Sequence, residues 1–196
     1  MSLIVALAAV VGWVNAAALA LGRGIGIVCV ALMVVFILVQ VFFRYVLGNA
    51  LPWSEEASRF LMLWMTGLMA PTAFRRGGFV AIDMLVLMLP RAVAAMLSLI
   101  LLGVSLAVLM VGFRIGWAEV TGFGGRFTTD ALWVPTTFDF SEWMKVPRAW
   151  AMASLAVGVT LLIAVNVELM LRAVVTMAGG GDRLPAIAGA EVAGAE

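Results

Sequence analysis

Residues 92–113, AVAAMLSLILLGVSLAVLMVGF, run for 22 positions without a charge, between Arg91 and Arg114. A helix needs about 20 apolar residues to cross a hydrocarbon core about 30 Å thick. Pro90 stands just ahead of the run, where a helix start tolerates a residue with no amide hydrogen. In water such a helix would have no polar face to show the solvent. The stretch therefore reads as a membrane-spanning helix.

The rest of the chain agrees. Of its 196 residues 65% are apolar and 12% charged, against about 45–50% and about 25% in soluble domains. A soluble fold of this size has too little interior for so much apolar surface. The net charge of +1 creates no field to draw nucleic acid. Histidine is absent, which removes histidine-ligated haem, histidine zinc sites and histidine bases. The single cysteine, Cys29, rules out an internal disulfide. Met1-Ser2-Leu3 carries no basic charge ahead of the apolar run, so no cleaved signal peptide is expected.

Three more spans follow from the same criterion. Residues 24–43 are charge-free with Gln40 as the one strongly polar interruption. A second span begins near Ser54, a candidate N-cap, with Glu55 and Glu56 in the first turn, where carboxylates suit the helix dipole. Its far end holds Pro71, where a bend is expected. A fourth lies between Arg148 and Arg172, after Pro147. The spans are placed at about residues 24–47, 54–74, 91–113 and 148–174. Residues 2–22 are also charge-free, and Gly22-Arg23-Gly24 separates them from span one. They read as an interfacial helix or as a fifth span in a tight hairpin. Residues 79–89, with Asp83 inside, are too few to cross and read as a short interfacial helix. The 114–148 link holds four basic and four acidic residues with Gly and Pro breakers, and predicts a structured surface loop with one short helix. Residues 1–178 form one transmembrane domain, and 179–196, rich in Gly and Ala, a disordered tail. The fold class is an all-α integral membrane protein.

Arg75, Arg76 and Arg91 fall in one short link, which places that link, and both termini, in the cytoplasm. Trp53, Trp117, Trp133, Trp143 and Trp150 gather at the opposite side as an aromatic belt.

Ionisable groups are scarce at mid-span, where transport chemistry would need them. Glu55 and Arg59 are spaced i,i+4, the order that favours a helical ion pair. With Glu56 they read as a capped helix end, as a polar patch that meets a partner or Arg44, or as a pair of carboxylates for a cation. Glu168 and Arg172 repeat the spacing and read as an interfacial pair. Asp83 is expected to anchor on Arg75 and Arg76. Gln40 should seek a partner on another helix, and Gly103/Ala107 and Ser154/Gly158 have the spacing of close helix contacts. No Walker A, HExxH, GxSxG or CxxC motif occurs, and neither cofactor nor enzymatic activity is expected.

The run Gln40-Val41-Phe42-Phe43-Arg44-Tyr45-Val46-Leu47-Gly48-Asn49 leads into Leu51-Pro52-Trp53-Ser54-Glu55-Glu56-Ala57-Ser58-Arg59. Trp64, Gly67, Ala70, Arg75-Arg76-Gly77-Gly78, Ile82-Asp83 and Leu89-Pro90 follow in order. This pattern resembles the small, DctQ-like membrane subunit of tripartite ATP-independent periplasmic (TRAP) transporters. Phe79 stands where that family often has histidine. The resemblance implies an accessory subunit with four spans in the bacterial inner membrane, and favours the interfacial reading of residues 2–22. It implies as partners a large multi-span permease subunit, a periplasmic solute-binding protein and membrane lipids, in sodium-driven uptake of organic acids. Gln40, Arg44, Tyr45, Trp53, Glu55, Glu56, Arg59, Trp64, Arg75, Arg76 and Asp83 become interface and structural positions. Two other classes compete: a self-sufficient small oligomeric transporter or channel, and a membrane anchor for a redox enzyme.

Overall fold

The computed structural model describes residues 2–77, 91–136, 142–178 and 187. The short helix expected over 79–89, Asp83 within it, and the tail apart from Ile187 lie outside the described residues. Among the described residues four helices dominate: α1 (Ser2–Tyr45), α2 (Pro52–Arg75), α3 (Arg91–Thr121) and α4 (Arg148–Met177). Between α3 and α4 come a 3-10 turn (Gly124–Arg126) and two strands, β1 (Thr128–Pro135) and β2 (Trp143–Pro147). Helix α4 is the centre of the bundle: α1, α2 and α3 all pack on it, and α1 also lies along α2.

Among the described residues, α1, α3 and α4 are long and apolar enough to cross a membrane. Helix α2, expected as the second span, falls short of that hydropathy, because Ser54, Glu55, Glu56 and Arg59 fill its first two turns.

Helix α1 departs from expectation. It runs unbroken for 44 residues, so residues 2–22 are neither a separate interfacial helix nor one arm of a hairpin. Breaking the helix at Gly22-Arg23-Gly24 would give up a turn of backbone hydrogen bonds and the contacts of Gly22 and Gly26 with α2, whereas a glycine inside a helix costs only about 1 kcal/mol. Gly22 and Gly26 serve packing instead, whereas Gly24 has open space where its side chain would be. A Cβ on Gly26 would lie 2.9 Å from Met69 Cε, and one on Gly22 3.4 Å from the Leu68 carbonyl oxygen. They belong to a buried seam: Ala8, Gly12, Asn15, Leu19, Gly22, Gly26 and Cys29, spaced alternately four and three. Met33, Phe36 and Gln40 continue it, half-buried. That alternation keeps one stripe of a helix facing its neighbours. The seam gathers small and polar residues of α1 alongside Leu19, Met33 and Phe36, while the other faces are apolar.

Helices α2 and α4 touch backbone to backbone. A Cβ on Gly67 would lie 2.5 Å from the Ser154 carbonyl oxygen, and one on Gly158 2.8 Å from Gly67 Cα. The Ser154/Gly158 pair is thus a close contact, as its spacing suggested. Gly103 is not, with open space where its side chain would be. Helix α3 instead meets α4 at Gly112 and Gly116, against Val159 and Ala156.

The 114–148 link corrects the all-α expectation. Helix α3 continues past Arg114 to Thr121, and β1 and β2 pair antiparallel, with Trp133 opposite Lys145 and Pro135 opposite Trp143. β-branched and aromatic residues (Thr128, Thr129, Trp133, Val134) favour an extended strand over the expected short helix. The Thr129 hydroxyl lies 2.9 Å from the Val146 carbonyl oxygen, and the Arg148 amide donates to Phe127 at 2.8 Å. These bonds tie the hairpin to the start of α4.

Candidate functional site

At one end of the bundle a fully buried carboxylate joins three helices. Glu168 of α4 has no exposed surface. Arg75, the last residue of α2, donates to it twice, Nη2 to Oε1 at 2.7 Å and Nε to Oε2 at 2.9 Å. Arg172, one turn along α4, donates Nε to Oε1 at 3.0 Å, and Asn15 of α1 donates Nδ2 to Oε2 at 2.9 Å. Arg75 also reaches the Gly12 carbonyl oxygen at 2.8 Å, and Asn15 the Ala164 carbonyl oxygen at 3.0 Å. Gly12 makes room: a Cβ there would sit 3.0 Å from Glu168 Oε1. An ionised carboxylate offers about four lone-pair sites, and these four donors occupy them. Glu168 therefore has nothing left for a cation. The arrangement is a lock between α1, α2 and α4.

The sequence indicated half of this lock. Glu168 and Arg172 are paired as expected, and the pair is in addition buried against α1 and α2. Arg75, expected to receive Asp83, is engaged by Glu168. Asn15, 153 positions away from Glu168, was not singled out. Its signal is that it stands as a lone amide in an apolar stretch.

A second junction closes the opposite end. Gln40 of α1 finds its partner on another helix, as anticipated: the Ser54 hydroxyl lies within hydrogen-bond distance of its Oε1, and also of the Leu51 carbonyl oxygen. Ser54 is not the N-cap, because α2 starts at Pro52 with Leu51 at the N-cap position and no side-chain cap hydrogen bond. Buried within the first turn, its hydroxyl serves the helix contact instead. Trp53 meets Phe36 edge to face with ring centroids 5.5 Å apart. The Trp64 indole N–H donates to the Trp150 carbonyl oxygen at 3.1 Å and ties α2 to α4.

The Glu55–Glu56–Arg59 group separates into two functions. Glu55 and Arg59 form an ion pair at 3.2 Å with side chains 64% and 71% exposed. Glu56 turns away and accepts the backbone amides of Asp130 at 3.2 Å and Ala131 at 2.7 Å, clipping β1 onto α2. The two carboxylates do not converge on a common point. Arg44 lies beside Tyr45, 6.0 Å from its ring centroid, and pairs with neither glutamate. Arg76 borders a small cavity near Arg23.

Charge is unevenly divided between the ends. Among the described residues, the Glu168 end carries Arg23, Arg75, Arg76, Arg91 and Arg172 against one carboxylate. The hairpin end mixes Arg44, Arg59, Arg114, Arg126, Lys145 and Arg148 with Glu55, Glu56, Glu119, Asp130 and Glu142. Trp53, Trp117, Trp133, Trp143 and Trp150 lie at the hairpin end, each more than a third exposed.

The family model described as "Tripartite ATP-independent periplasmic transporters, DctQ component" matches residues 33–176, from the second half of α1 to the last turn of α4. No curated protein and no solved structure matches the chain.

Proposed function

The chain belongs to the DctQ-component family of tripartite ATP-independent periplasmic transporters, and from that premise we propose that it braces a larger permease subunit without carrying substrate or ions itself. The family match carries this reading. The geometry supports it, because Glu168 is saturated by its own bundle and, among the described residues, the remaining carboxylates lie at the hairpin end. Helices α1 and α3 leave long apolar faces uncovered, among them Val34, Ile37, Leu38 and Val41 on α1, and Val104, Val108 and Val111 on α3. These faces are available to lipid and to the permease. Gln40, Ser54, Trp53, Phe36, Trp64, Glu56 and Arg75 then hold the shape that the permease meets, while Arg44, Tyr45, Glu55, Arg59 and Arg76 offer polar contacts at the two surfaces.

The proposed topology has four crossings in the bacterial inner membrane. Helix α2, about 36 Å long at about 1.5 Å per residue, runs lengthwise against α1 and α4, which supports its crossing beside them. Its neighbours along α1 extend from Gly12, beside Arg75, to Gln40, beside Ser54. The crossing part of α1 therefore begins well before residue 24. The arginine-rich Glu168 end faces the cytoplasm with both termini, by the preference of Lys and Arg for that side. The hairpin and its tryptophans face the periplasm, where a solute-binding protein would dock on the complex. The complete system is a sodium-driven importer of organic acids.

The test is reconstitution. Proteoliposomes holding this chain alone are expected to show no sodium-dependent uptake of an organic acid offered with its binding protein, and uptake should appear once the permease is added. Robust uptake by the chain alone would refute the accessory reading.

A further inference from the structure

A cavity of about 80 Å³ opens at the Glu168 end between α1 and α2, where Arg23, Thr72, Arg75 and Arg76 meet Ala16 and Leu19, with Ile187 also at its edge. It is larger than one water needs. Arg75 is committed to Glu168, but Arg23 and Arg76 have no carboxylate partner among the described residues. Thr72 is 7% exposed, and its hydroxyl is buried without a hydrogen-bond partner. A buried hydroxyl left unpaired is costly, so the cavity favours an occupant that accepts hydrogen bonds. Two guanidinium groups without a carboxylate partner among the described residues, and a spare O–H donor, make up the chemistry that recognises a tetrahedral oxyanion.

We propose that this cavity binds a phosphate group, held by Arg23, Arg76 and the Thr72 hydroxyl. A phosphodiester on an anionic lipid headgroup and free inorganic phosphate share this chemistry. The lipid is favoured by position: if the arginine-rich end lies at the cytoplasmic surface, as in the topology above, the cavity sits at headgroup depth between two spans. Lipid bound there would fasten α1 to α2 at the end where the Glu168 lock fastens both to α4.

The experiment uses the full chain in neutral detergent micelles, doped with phosphatidylglycerol or with phosphatidylcholine of the same acyl chains, or given inorganic phosphate. Melting midpoint and retained lipid by native mass spectrometry are read together. Phosphatidylglycerol should raise the midpoint and phosphatidylcholine should not. Arg23→Gln and Arg76→Gln should each weaken apparent affinity about fivefold, from about 1 kcal/mol per basic residue at a charged headgroup, and Thr72→Val should weaken it as well. If inorganic phosphate alone raises the midpoint, with the same dependence on Arg23 and Arg76, the site holds free phosphate and the proposal stands with that source. Equal shifts from both lipids and none from phosphate, or variants with wild-type affinity, would overturn it. Should the variants not fold, a phosphatidylglycerol carrying a headgroup photolabel decides on the wild-type chain. Cross-links are expected at residues 16–23 and 72–76, and cross-links confined to α3 would overturn the proposal. Transport is not read, so failure here leaves the accessory reading untouched.

Discussion

Glu168→Gln isolates the lock between the helices. The substitution keeps size and shape but removes the charge that two arginines face. The side chains of Arg75 and Arg172 are only 12% and 13% exposed, so neither can turn to bulk water without moving its helix. Removing one partner of a buried charge pair costs about 3–5 kcal/mol, because the other charge is left uncompensated. The Glu55–Arg59 pair supplies the internal comparison. It is well exposed, and Glu55→Gln there should cost about 0–1 kcal/mol. The assay is unfolding of the purified chain in mixed micelles of mild detergent and dodecyl sulfate, followed by circular dichroism. Arg75→Gln should also be costly, since it loses both bonds to Glu168 and the one to Gly12. The double variant should cost less than the two single losses added, by at least about 1 kcal/mol, as expected for groups in direct contact. If Glu168→Gln destabilises no more than Glu55→Gln, or the two losses simply add, the cluster does not hold the bundle together.

Glycine-to-alanine changes should sort by the space each position offers. Gly67→Ala and Gly158→Ala drive a methyl into backbone and should cost about 2 kcal/mol or more in the same assay, whereas Gly103→Ala, in open space, should be neutral or stabilising by up to about 1 kcal/mol. Equal effects at all three sites would contradict the close α2–α4 crossing. Glu56→Ala frees the Asp130 and Ala131 amides, so limited proteolysis should cut the 128–136 strand faster while helicity by circular dichroism stays unchanged; an unaltered cleavage rate would show that the clip is not holding the hairpin. In a Cys29→Ala background, a cysteine at Phe123 should react with an impermeant maleimide from outside intact cells, and one at Met177 only after permeabilisation. The reverse pattern would invert the proposed orientation.

Composition and run length were enough to assign this chain to a membrane, because burying a charge in hydrocarbon is so costly that long uncharged runs have few other uses. The runs over 92–113 and 148–174 became α3 and α4 with boundaries shifted by a few residues at most at three ends and by eight at Thr121. The order of motif residues from Gln40 to Pro90 was enough to point to the family. What the sequence left undecided was which side of each helix faces the others. Hydrophobic periodicity marks the buried side of a soluble helix, but α1 is apolar nearly all round, so the usual signal vanishes. Its buried stripe carries small and polar residues instead, Gly12, Asn15, Gly22, Gly26 and Gln40, and one of them, Gly22, lies in the Gly22-Arg23-Gly24 stretch expected to break the helix. The Glu168 lock was hidden for a related reason. The i,i+4 spacing shows that Glu168 and Arg172 can meet, since one helix fixes that distance. Nothing local brings Arg75 from 93 positions away, or Asn15 from 153. Only the packing of α1 and α2 on α4 puts two more donors on the same carboxylate, and turns a surface pair into the point where three helices are joined.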